Sequence, residues 1–240
     1  MKFKRKSQSN TTFWSDYYHK QAKVCQDPSL QHFYKTGLVE PQTPISEVPL
    51  MAMDFETTGL NPDKHDILSI GMVPFQLSRI QPSKGHYWVV NPRRSLREES
   101  IAYHRITHSE IEHAPDLETV LDEMLERMAG HLVVVHYRKI ERTFLDGAIF
   151  ARRGEHCLFP VIDTMSIEAR FERNQPLQRL KRFFGISPPS IRLNDSRNRY
   201  GLPMYSSHHA KVDALATAEL LQAQIARHYT PQTPVSELWT

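Results

Sequence analysis

Two carboxylates two positions apart on a strand project from the same face, and LMAMDFE sets Asp54 and Glu56 in that relation. A charged pair on a core strand is costly unless cations or hydrogen-bond donors compensate it. Taken alone, the pair reads as the polar end of a strand. Thr57, Thr58 and Gly59 follow at once, a tight turn expected to expose backbone N–H groups and hydroxyls to a sugar or phosphate oxygen beside a metal. Far along the chain, HHAKVDA carries His208 and Asp213 five apart at the start of a helix. Asp213 can join Asp54 and Glu56 in binding hard divalent cations, Mg²⁺ or Mn²⁺, through oxygen. An imidazole exchanges protons near neutral pH, so His208 suits a general base. A lone histidine is more often a surface or capping residue, and His209 stands beside this one. Two cations about 3.5–4 Å apart would stabilise the attacking and leaving oxygens of a phosphodiester displacement.

Those residues need a scaffold, and the hydrophobic pattern supplies one. LMAMDFE, ILSIGMVPF and GHYWVVNP read as three strands of a meander. Residues 116–129 repeat apolar positions at helical spacing, with Gly130 as the stop. HLVVVH is a buried-type strand, a helix follows over about 138–153, and FPVID is a short strand ending at Asp163, read as a helix cap. Helices are expected near 164–172 and 176–184, a long loop over 186–206, and a last helix from a cap at Ser207 to about 228. That order argues for a mixed sheet with helices on its faces and ligands at the strand ends.

The chain has 240 residues, 40% hydrophobic and 24% charged, which suits one catalytic domain with an extension and excludes wholesale disorder. Residues 1–47 read as a helical arm and linker, 48–230 as the domain, and 231–240 as a tail. The arm's aromatics, among them Trp14, Tyr18, Phe33 and Tyr34, argue that it packs on the domain or on a protein partner. Net charge is +3, a mild bias that permits nucleic acid as a partner without demonstrating it. The late arginines, including Arg192, Arg197 and Arg199, read as a solvated face. No apolar run approaches a membrane span, and the two cysteines, Cys25 and Cys157, form neither a disulfide framework nor a zinc motif. A cytoplasmic location is expected.

DFETTGL, HRIT, VVVH with IERTFL, DT, LQRLKRFFGI and HHAKVDALATAEL, in that order over about 48–227, resemble the DnaQ-like DEDDh-type 3′–5′ exonucleases. Order and spacing together make the resemblance specific. It implies a ribonuclease H-like α/β fold with a five-stranded mixed sheet flanked by helices, here with an N-terminal helical arm. By position it implies Asp54, Glu56 and Asp213 as ligands of two Mg²⁺ or Mn²⁺ ions and His208 as the general base. Thr57, Thr58, Gly59 and Leu60 match residues that seat the 3′-terminal nucleotide, with His104 and Ile106 nearby. The second motif departs from the family pattern: HYRKIERTFL puts Glu141 where a metal-binding Asp is usual and Tyr137 where Asn is usual. The implied activity is release of nucleoside monophosphates from 3′ ends, most simply of single-stranded DNA. The alternative is a weakly active or inactive nucleic-acid-binding module that serves a polymerase, with the arm as its contact.

Overall fold

A computed structural model describes residues 2–94, 106–173, 184–185, 187–206 and 208–240. The strands are β1 (Leu50–Thr57), β2 (Ile67–Gln76), β3 (Arg79–Ile80), β4 (His86–Val89), β5 (Leu132–Val135) and β6 (Val161–Asp163). They join in one mixed sheet of order β3-β2-β1-β5-β6, with β4 also on β2. β1 runs antiparallel to β2 and parallel to β5, and β5 is parallel to β6. The sheet has six strands where five are expected, because β2 turns back into the two-residue β3. A strand that short leaves no periodic signal.

The helices are α1 (Lys2–Val24), α2 (Pro28–Thr36), α3 (His108–Glu112), α4 (Glu118–Met128), α5 (Lys139–Arg153), α6 (Thr164–Glu172), α7 (Leu193–Arg199) and α8 (Ala210–His228). α4 buries Val120, Leu121, Met124, Leu125 and Met128, the stripe its spacing requires. α6 starts on a cap in which Asp163 accepts from the N–H groups of Met165 and Ser166. The helix expected over 176–184 lies almost wholly outside the described residues, as does the cap expected at Ser207. α8 begins instead after His209, which makes no side-chain cap bond.

One expectation fails in the 186–206 stretch, where α7 replaces a plain loop. Its inward side chain is Arg197, wholly buried. That guanidinium donates to Ala216 O, Pro203 O and Glu219 Oε2, each at 2.7 Å. Arg199 likewise pairs at 2.7 Å with the buried Glu168. The solvated-face reading of the late arginines therefore fails at these two. A helix anchored through ion pairs carries no apolar periodicity.

The two faces of the sheet bury separate cores. Met51, Met53 and Phe55 of β1 face one core with α4, α5 and the arm, while Leu50 and Ala52 face the other with α8 and the C-terminal segment. Trp14, Tyr18, Leu30, Phe33 and Tyr34 of the arm belong to the first core. The arm touches α5 at both ends: Arg142 lies over the Trp14 ring of α1, and Arg153 pairs with Asp27, the cap of α2. Leu238 and Trp239 pack into the second core, and Trp239 bridges Ile162 at the β6 edge.

α8 reaches the sheet through one close contact. A Cβ on Gly71 would sit 2.1 Å from the main chain of Ala210, so only glycine allows α8 to touch β2 there. Gly71 is the register partner of Asp54, which brings the first turn of α8 beside the β1 carboxylates.

Gly71→Ala is expected to lower stability by about 3 kcal/mol, because backbone rather than a flexible side chain must move. Phe33→Ala is expected to cost about 3–5 kcal/mol, the range for a buried aromatic. Urea denaturation checks both. Losses near zero would mean that α8 or the arm does not pack as described.

Candidate active site

Asp54 and Glu56 continue the face of β1 that Leu50 and Ala52 bury beneath α8, while Phe55 points into the opposite core. The register slips between Glu56, which pairs with Ser69, and Thr57, which pairs with Ile67, an irregularity directly beside the carboxylates. Asp213 arrives from the first turn of α8. One carboxylate oxygen each from Asp54, Glu56 and Asp213 lies within 4.8 Å of the others, the one such cluster among the described residues. Glu56 and Asp213 are buried and Asp54 is partly so.

Glu141 enters from the other side, in the first turn of α5, at a position of the helix's buried face. Its carboxylate lies outside the close cluster, but its charge bears on Asp54. Oε2 of Glu141 is buried without a hydrogen-bond partner. Burial, then Glu141, Asp213 and Glu56, push the Asp54 carboxyl well above the usual range. Burial above all does the same to Glu141, with the charge of Asp163 adding to it. Asp213 is raised by burial and by Glu56, partly offset by the N–H of His208. An orphaned buried oxygen beside three converging carboxylates is a donor set lacking positive charge, and its all-oxygen chemistry fits Mg²⁺ or Mn²⁺.

His208 lines the same pocket, which holds about 440 Å³ between β1, α8 and the start of α7. Its N–H donates to Asp213 Oδ2 at 2.8 Å. His209 faces elsewhere, its ring stacked on Tyr87 at 4.3 Å between centroids. His208 (φ 69°) and Tyr137 (φ 93°) are the non-glycine residues in left-handed backbone among those described. Both flank the pocket region, where such strain commonly collects. The Tyr137 N–H donates to Asp163 Oδ1, which ties the start of α5 to the end of β6. His136, the histidine that opens HYRKIERTFL, also lines the pocket. Its ring nitrogens lie 2.8 Å from Thr164 Oγ1 and 3.0 Å from Ile191 O, and burial pushes its pKa down to about 4.

The turn after β1 differs from expectation. Thr57 Oγ1 donates to Gly59 O at 2.8 Å, and Thr58 Oγ1 accepts from the N–H of Asp66 at 3.0 Å. The Thr58 N–H is also used, donating to Asp66 O. These groups lock the loop to its returning limb instead of standing free. Leu60 is 81% exposed at the tip. Ile106 is buried with Leu68 and Ile111, and His104 lies outside the described residues. Asp146, the other acid on α5, accepts from the N–H of Cys157 at 2.9 Å, away from the cluster.

The raised carboxyls set the sign of a pH effect. Groups held protonated in the fold contribute stability that is complete below the ordinary carboxyl range and is lost as pH rises through their elevated values. The Tm of chelator-treated protein is expected to fall between about pH 5 and pH 8. A fixed Mn²⁺ concentration should add about 2.7 kcal/mol where it is a hundredfold above Kd, and should add more at the higher pH, where the ionised carboxylates lower Kd. Differential scanning fluorimetry checks this, and an equal cation effect at both pH values would contradict it.

Residues 51–221 match the family model described as RNase_T exonuclease. Relatives include the PolC-type DNA polymerase III of Thermotoga maritima, 27% identical over 174 residues. That match takes in 72% of this chain but spans only 12% of the polymerase. The DNA polymerase III subunit epsilon of Treponema pallidum is 23% identical over 181 residues, covering 75% of this chain and 78% of that one. The fold resembles the nuclease domain of 3'hExo, a DEDDh family member bound to rAMP, at TM-score 0.61 and 15% identity over 75% of this chain and 92% of that chain. Exonuclease X in complex with 5′ overhanging duplex DNA gives TM-score 0.56 at 22% identity, over 78% of this chain and 99% of that one. The chain belongs to the RNase_T exonuclease family, of the DnaQ-like kind.

Proposed function

We propose that the chain is a metal-dependent exonuclease that hydrolyses nucleic acid from its 3′ end and releases nucleoside monophosphates. The observation that carries this is the convergence of Asp54, Glu56 and Asp213 within 4.8 Å, with the orphaned oxygen of Glu141 beside them, in a chain of this family. Asp54, Glu56, Asp213 and Glu141 would hold two Mg²⁺ or Mn²⁺ ions. When bound, such ions supply Lewis-acid stabilisation of charge developing on phosphate oxygens. Leu60 offers apolar surface to the terminal nucleotide, the locked turn Thr57–Gly59 holds it in place, and the buried Ile106 supports the neighbouring wall from behind. His208 takes the proton from the attacking water, and the bond from its N–H to Asp213 keeps it at the cluster. Residues 48–230 form the catalytic unit, which the arm (1–47) and the tail (231–240) brace.

The names of the polymerase relatives favour DNA as substrate and a polymerase as partner. Phe13, 54% exposed on α1, is an aromatic of the arm left open to such a partner. Single-stranded 3′ ends suit a pocket open at the strand ends. One observation favours the second reading, a weakly active or inactive accessory module: Glu141 carries an extra methylene where the family has Asp, and it stands outside the close cluster.

Side-by-side degradation of 3′-labelled DNA and RNA, single- and double-stranded, with Mg²⁺ or Mn²⁺ decides between them. Single-stranded DNA is expected to shorten fastest. Asp54→Ala, Glu56→Ala and Asp213→Ala should abolish shortening, His208→Ala should slow it by about 10²–10⁴-fold, and His209→Ala should change it little. Glu141→Ala should nearly abolish turnover and Glu141→Asp should retain some of it. Wild-type protein that binds strands without shortening any of them would establish the accessory module instead.

A further inference from the structure

Behind the turn that follows β1 lies a second cleft, lined among the described residues by the limb 62–67, the segment 91–94, Leu117 and one side of α5. It holds about 310 Å³, at the lower end of the range for small-molecule sites. Its floor is apolar: Ile67, Leu117 and Phe144 are buried there. Its rim is cationic. Arg94 pairs with Asp66 at 3.2 Å and Arg152 with Asp116 at 2.8 Å, so these two are largely neutralised. Arg93 reaches across to α5 and donates to a main-chain oxygen, Ala151 O, at 3.3 Å, and it shares the charge of Asp116 with Arg152, so the rim keeps a net positive charge there.

Gly147 stands in the wall, in the interior of α5. Glycine weakens a helix relative to alanine. Where Gly71 is required by the main chain of α8, a Cβ on Gly147 would meet nothing within 4 Å. No packing among the described residues calls for glycine there, whereas a flat group lying against the helix would.

We propose that this cleft is a nucleotide-binding site separate from the carboxylate cluster, taking a base against Phe144, Gly147 and Ala148 and a phosphate at Arg93. Choosing a nucleotide rests on the exonuclease function proposed above; the cleft's own chemistry asks for a flat apolar body bearing an anion. Its occupant would also reach the active-site turn. His65 lines the cleft, and its ring lies directly beneath Gly59, where an added Cβ would be 2.6 Å from it. The same chemistry has two sources, a free nucleoside monophosphate or an internal nucleotide of the strand being degraded.

Calorimetric titration of dTMP and of AMP into the chelator-treated full chain tests the site. Gly147→Leu fills the cleft with a better helix former, and Arg93→Gln removes a cation from its rim. Each is expected to weaken nucleotide binding by about tenfold or more while melting like wild type. KM values for a long strand and for a dinucleotide, with Mn²⁺, separate the sources. An internal nucleotide requires both variants to raise KM for the long strand only; a free nucleotide leaves both KM values unchanged while direct binding is lost. Binding that persists in both variants overturns the site, as does absence of wild-type binding together with unchanged KM. Nucleotide binding without hydrolysis of either substrate would refute the exonuclease function and leave the site standing.

Discussion

Like charges withdrawn from water repel one another and lose hydration together, and this chain gathers four carboxylates at one end of a buried strand. Asp54, Glu56 and Asp213 converge within 4.8 Å while Glu141 presses in from the opposite side. In the absence of cations the strain appears as carboxyls held above their usual range at Asp54, Glu141 and Asp213. The surrounding fold makes that arrangement possible. β1 is covered on both faces, by α5 and the arm on one side and by α8 on the other. Gly71 lets α8 come close enough to place Asp213, and the tie from Tyr137 to Asp163 fixes the turn from which Glu141 projects.

The elements nearest the site were the most legible in the sequence. The strand pair around Asp54 and Glu56, the apolar stripe of α4 and the cap at Asp163 rest on periodicity and local hydrogen bonding, both of which are written in nearby residues. What escaped depends on distant partners. α7 is held by the Arg197 and Arg199 pairs to residues more than twenty positions away, so its segment looks like a polar loop. The hydroxyl of Thr58 looks free in a turn until the returning limb brings Asp66 N within reach, and that of Thr57 is taken up by Gly59 O once the turn closes. His136 opens the second motif, yet its place at the pocket follows only from where β5 ends.

Rigidity and openness are divided between the two sides of the turn after β1. Its backbone is locked by its own threonines, yet Leu60 at its tip stays exposed and His65 beneath it borders a cleft with room to spare. The arm adds stiffness from outside. Trp14 and Tyr18 sit against α5, whose first turn carries Glu141, so residues remote in sequence from the carboxylates brace one of the helices that carry them.

The central claim is that the carboxylate cluster is built around divalent cations. Titrating Mn²⁺ into the full chain by calorimetry, in buffers of different ionisation enthalpy, measures both binding and the protons it displaces. Cations should bind, release protons below neutral pH because the raised carboxyls must ionise, and bind more weakly to Glu141→Gln. Binding with no proton release, or no loss in Glu141→Gln, would contradict the claim.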